Sequence, residues 1–127
     1  MQPVALLLVF IGSGLGGVAR YATGLAALRL WGPAFPYGTL TVNLIGGLLI
    51  GVLAGVWSSH DTSAFTRSFL VTGILGGFTT FSAFTLDSVT LIERHQTALA
   101  TAYILASVCG AMLALTLGAC LGRQLAS

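Results

Sequence analysis

Lysine is absent from this chain, and its acids come down to Asp61, Asp87 and Glu93. Charged residues make up 6% of the sequence, against about 25% in an ordinary soluble domain. A water-facing surface cannot be assembled from so few. The arginines are scattered, at 20, 29, 67, 94 and 123, so the formal charge of +2 builds no basic stripe and gives no argument for nucleic acid. Enzymatic equipment is missing too. Asp87 and Glu93 have no second catalytic group at workable spacing, His60 and His95 fall in expected loops, and no nucleophile triad or metal-hydrolase cluster can be drawn. Cysteine is scarce: Cys109 and Cys120 would sit about 16 Å apart along one helix, at roughly 1.5 Å rise per residue, too far for a bridge. They read as small packing residues. No basic stretch precedes the first apolar run, so a cleaved signal peptide is not expected.

What is present is apolar. Hydrophobic residues reach 56%, and the chain reads as an all-α integral membrane protein. A span needs roughly 17–25 mainly apolar residues. Four such stretches occur, near 4–30, 37–57, 67–91 and 98–121, joined by short turns into one domain over 1–127. Trp31-Gly32-Pro33 with Pro36 marks the first turn, Ser58 to Ser63 the second, and Glu93-Arg94-His95-Gln96 the third. Trp31 and Trp57 lie at span ends, where amphipathic rings prefer the interface.

Glycine is abundant and regularly spaced. Gly47, Gly51 and Gly55 form a small-xxx-small ridge, and Gly12/Gly16, Gly73/Gly77 and Gly118/Gly122 repeat the interval. Such ridges let membrane helices approach closely. Gly12-Ser13-Gly14-Leu15-Gly16-Gly17 also matches G-x-G-x-x-G, but no acid follows about twenty residues on and no α/β pattern surrounds it, so packing is the better reading. Arg67 and Arg123 would face one side and Arg29 and Arg94 the other, with Arg20 either on that second side or within the bundle. That near-balance sets no orientation by the positive-inside rule. Insertion both ways, and pairing of opposite orientations, is one outcome.

The stretch Gly76-Gly77-Phe78-Thr79-Thr80-Phe81-Ser82-Ala83-Phe84 interrupts the third span. Two glycines followed by Thr-Thr and Ser weaken a helix at mid-membrane. Non-helical backbone at that depth is tolerated where it faces protein or a polar cavity, and often makes an ion site. Thr80 and Ser82 bring hydroxyls, and Phe81 and Phe84, at i and i+3, can share one groove. Asn43 can present an amide N–H₂ to an anion or simply bridge two helices. Tyr103 and Ser107 place two hydroxyls on one face of the fourth span. Arg20 reads as an anion ligand or a snorkelling side chain; if buried it needs a partner.

Three blocks stand in order: Gly16-Gly17-Val18-Ala19-Arg20-Tyr21, Pro36-Tyr37-Gly38-Thr39-Leu40-Thr41-Val42-Asn43, and Gly73-Ile74-Leu75-Gly76-Gly77-Phe78-Thr79-Thr80-Phe81-Ser82-Ala83-Phe84. Together they resemble the signature blocks of the Fluc fluoride channels (the CrcB family), over nearly the whole chain. Ala83 and Asp87 depart from the Thr and Glu usual there. The resemblance implies an antiparallel, dual-topology homodimer in the bacterial inner membrane, with two fluoride pores between subunits. Asn43, Phe81, Phe84, Tyr103 and Ser107 would line them. It also implies a structural sodium ion (Na+) at the dimer centre, on the backbone carbonyls of Gly76 and Thr79 from each subunit, and a structural or vestibule role for Arg20 and Asp87. The implied activity is passive fluoride export.

Two other classes compete. A small multidrug-type antiporter is also a four-span dual-topology dimer, but it needs a titratable carboxylate in the first span, and the first acid here is Asp61. A non-transporting assembly protein would use the glycine ridges and leave Thr79 to Ser82 unexplained.

Overall fold

In the computed structural model, which describes residues 2–127, four helical segments are each long and apolar enough to cross a membrane: α1 (Pro3–Trp31), α2 (Tyr37–Trp57), α3 (Ala64–Glu93) and α4 (Thr97–Ala126). The expected spans are all present, with modest extensions. Pro3 stands in the first turn of α1, where its missing N–H costs no bond. Gly32, at φ 75°, ends that helix in a conformation that a side chain would resist. α3 starts three residues earlier than expected because the Ser63 side chain caps it, accepting from the Thr66 N–H at 3.1 Å. The turn into α4 is tight, with His95 at φ 60° and the Gln96 N–H donating to the Leu91 carbonyl at 2.9 Å.

α3 is the irregular element. Its first arm runs through residues 64–78 and contains a π-helical stretch, Ser68–Leu75. Thr79 and Thr80 are then extended, and the second arm, Phe81–Glu93, resumes as α-helix. The break falls between Phe78 and Phe81, inside the stretch that the sequence marks as weak. The wider π turns were not foreseen: nothing in Ser-Phe-Leu-Val-Thr-Gly-Ile-Leu distinguishes them from an apolar α-helix.

Packing follows the small residues. α2 lies along α4, with the Gly51 position against the Leu115 carbonyl and Ala119, and Gly55 against Ala119 and Gly122. α1 covers the first arm of α3, where a Cβ on Gly12 would meet the Phe69 carbonyl oxygen at 2.8 Å and the Gly73 Cα at 2.9 Å. Gly77 is held the same way, its Cβ position 2.9 Å from the Ser13 Cα. These ridges are interhelical seams, as expected of small residues in membranes.

The break changes α3's neighbours. Its first arm packs on α1, whereas its second arm packs on α4 and α2 and, among the described residues, not on α1. The chain therefore crosses over α2 at Thr79 and Thr80. Much apolar surface stays uncovered, including Phe10 and Phe81, each more than three-quarters exposed. In a membrane chain that surface meets lipid or another protein.

Candidate functional site

Breaking a helix at mid-membrane frees backbone groups that water cannot satisfy. Two side chains take them up. The Asn43 amide faces Thr80 with both of its ends: Nδ2 donates to the Thr80 carbonyl at 3.0 Å, and Oδ1 accepts from the Thr80 N–H at 2.8 Å. Arg20 Nε donates to the Gly77 carbonyl at 3.1 Å. In an unbroken helix the Thr80 N–H would close a turn on Gly76; here Asn43 takes it, and the Gly76 carbonyl loses that donor. The Thr80 side chain caps the second arm by accepting from the Ala83 N–H at 3.1 Å. Thr79 Oγ1 turns back to the Leu75 carbonyl at 3.0 Å.

Beside the break lies a cavity of about 370 Å³ that brings together Asn43, Thr79, Thr80, Phe81, Phe84 and Ser107. Most residues proposed from the sequence for an anion path thus share one wall. Phe81 and Phe84 are tilted neighbours, with centroids 5.7 Å apart. Only one of the two hydrogens on Asn43 Nδ2 is committed to Thr80, which leaves a donor for the cavity.

Ser107 is the unusual member. Serine and threonine inside a helix commonly bond the carbonyl four residues back. Thr85, Ser88, Thr101 and Thr116 all do so, at 2.8–3.0 Å. Ser107 is among the residues lining the cavity, and its buried hydroxyl has no hydrogen-bond partner among the described residues. An unpaired buried donor is costly unless something else occupies it.

The other candidates fall elsewhere. Tyr103 is fully buried outside that cavity, its ring 5.4 Å from Phe84 and its hydroxyl donating to Asp87 Oδ2 at 3.1 Å. Asp87 lines a second cavity of about 310 Å³, under the α1–α2 turn, with Arg94, Thr39 and Phe35. Arg20 lines a third, of about 270 Å³, with Thr39 and Thr80. Ser82 is exposed and lies 3.4 Å from the Thr80 hydroxyl. Gly76 is also exposed, on the open face of α3. Phe35 escaped the sequence reading, because an aromatic between two prolines looks like part of a turn.

Residues 7–119 match the family described as CrcB-like protein, Camphor Resistance (CrcB). The chain is similar to a protein of Mesorhizobium japonicum named fluoride-specific ion channel FluC, 48% identical over 120 residues that make up 94% of this chain and 97% of that one. A protein of the same name from Agrobacterium fabrum is 47% identical over 123 residues, 96% of this chain and 98% of its own. A third, from Rhizobium meliloti, is 50% identical over 121 residues, 94% and 97% of the two chains.

Proposed function

Because this chain belongs to the CrcB-like family, we propose that it is a fluoride-specific ion channel, a multi-pass protein of the bacterial plasma membrane. The observation that carries the reading beyond resemblance is one cavity lined by Asn43, Phe81, Phe84 and Ser107, the last with a buried hydroxyl that has no partner among the described residues. Fluoride is small and strongly hydrated, so a path must replace its water with donors. Asn43 and Ser107 offer such donors, and aromatic ring edges carry positive potential. No carboxylate lines that cavity. Reconstitution into liposomes, comparing fluoride with chloride efflux, tests the reading; equal permeation of both, or of neither, overturns it.

The conducting unit is proposed to be an antiparallel homodimer with two pores. Phe81 lines the cavity while more than three-quarters exposed, so a second copy would finish its wall. The scattered arginines favour neither orientation. Reporters fused to the C-terminus should be active on both sides of the membrane, and a single orientation would exclude the antiparallel arrangement.

A sodium ion at the centre of the dimer is the proposed cofactor. The donor set fits: Gly76 is exposed and its carbonyl has lost its usual helical donor, and Thr79 is extended. Hard cations take oxygen ligands, and neutral carbonyls suit a monovalent ion. The ion would supply a fixed positive charge joining the two copies. Exhaustive replacement of sodium by a large organic cation should silence reconstituted protein; undiminished flux would count against the site.

A further inference from the structure

The aromatic side chains form an unbroken run from the membrane edge to the helix break. Trp31 lies 5.6 Å from Tyr37, Tyr37 4.9 Å from Phe35, Phe35 5.5 Å from Tyr103, Tyr103 5.4 Å from Phe84, and Phe84 5.7 Å from Phe81. Phe35 is the link at which the α1–α2 turn enters the run. It meets Tyr103 edge-on, at 89°, the arrangement that aromatic quadrupoles favour.

The turn holds this ring firmly. Pro36 disfavours helical backbone at Phe35, and the Tyr37 N–H donates to the Phe35 carbonyl at 2.8 Å. The ring also packs against the small core of Leu91, Ala100 and Tyr103. A separate cavity lies beyond each end of the Phe35–Tyr103–Phe84 contact. Phe84 faces the one with Asn43 and Ser107, whereas Phe35 and Asp87 face the one with Arg94. Tyr103 stands between them, fully buried, touching both rings and bonded to Asp87.

We propose that Phe35 is a positioning residue for anion passage, fixing the Tyr103 ring that separates the two cavities. It touches no ion itself. Its effect is relayed through Tyr103, whose tilt decides how an ion can pass between the cavities and keeps its hydroxyl with Asp87. This rests on the fluoride-channel reading. A ring that loses its edge contact samples other tilts, and an aromatic pair is worth about two- to tenfold in such a population. A less fixed Tyr103 ring should slow fluoride and admit the larger chloride ion.

The test uses the full chain in liposomes. Phe35→Leu and Phe35→Met are both made, so that one failing to fold leaves the other, and Phe35→Tyr keeps the ring. Leu or Met should slow fluoride efflux by roughly three- to tenfold and lower the fluoride-to-chloride ratio comparably. That ratio does not depend on how much protein folded, so a merely structural role would leave it alone. Phe35→Tyr should restore both values. With Tyr103→Met already present, Phe35→Leu should add almost nothing, because the relay is gone. A parental ratio in Phe35→Leu and Phe35→Met, or full additivity with Tyr103→Met, overturns the proposal while parental fluoride flux stands. A parent that carries no fluoride overturns the channel reading itself.

Discussion

The α2–α4 seam and the α3 crossing are both built on residues with little side chain, yet they are held by different forces. In the seam, Gly47, Gly51 and Gly55 bring α2 against Ala111, Leu115 and Ala119 at backbone contact, while the hydrogen bonds of Asn43 on α2 and of Tyr103 to Asp87 run to α3. Dispersion and close fit hold it. At the crossing, the chain leaves helical geometry for two residues, and Asn43 and Arg20 supply the missing bonds. The first region resists any added atom. The second depends on specific donors and acceptors, which is why chemistry can collect there.

Asn43→Asp should have the largest effect, because it strikes only the crossing. A carboxylate still accepts from the Thr80 N–H but can no longer donate to the Thr80 carbonyl. It also puts negative charge at mid-membrane on an anion path, where a charge costs about 2.5–3.5 kcal/mol, or roughly 100-fold in flux. Fluoride efflux per reconstituted dimer should be nearly abolished. Phe81→Ile and Phe84→Ile keep apolar bulk and lose the ring edge, so each should slow efflux by about tenfold. Parental flux in Asn43→Asp and Phe81→Ile together would reduce these residues to packing.

The seam predicts a loss of stability instead. A Cβ on Gly51 would meet the Leu115 carbonyl and lie 2.9 Å from the Ala119 nitrogen, both backbone atoms that cannot swing aside. Gly51→Ala should cost about 1–3 kcal/mol, seen as a lower unfolding temperature of the purified protein. Gly14 has nothing within 4 Å of its Cβ position. Gly14→Ala should therefore be neutral, or stabilising by up to about 1 kcal/mol through better helix propensity. Identical responses at the two positions would erase the distinction between seam and surface.

These contrasts also show what the sequence could disclose. Span number, turns, glycine intervals and a weak point near Gly76 to Ser82 are local properties, written in hydropathy and propensity. The partner of Asn43 is not local. Thr80 lies 37 residues away, and the two meet only because the break carries α3 over α2. Spacing put Tyr103 and Ser107 on one helix face, yet it could not show that Ser107 reaches the cavity while Tyr103 stays behind it, bonded to Asp87. The π-helical stretch escaped because nothing in its local sequence marks wider turns; Ser68 to Leu75 pack on α1 against Gly12.

The smallest expected effect at the crossing separates the two jobs of Thr80. Its backbone is held by Asn43, whereas its hydroxyl caps the second arm through the Ala83 N–H. Thr80→Ala removes only the cap, which is worth about 1 kcal/mol, and leaves both Asn43 bonds available. Unfolding temperature should drop slightly, and fluoride efflux should fall by no more than about fivefold, the equivalent of a cap worth about 1 kcal/mol. Thr80→Ser keeps the oxygen and should behave like the parent in both measurements. If Thr80→Ala instead silences efflux as thoroughly as Asn43→Asp while the protein stays folded, the hydroxyl acts on the ion directly. The crossing would then be a stretch of the path lined by Thr80 itself, and Asn43 would serve mainly to aim it.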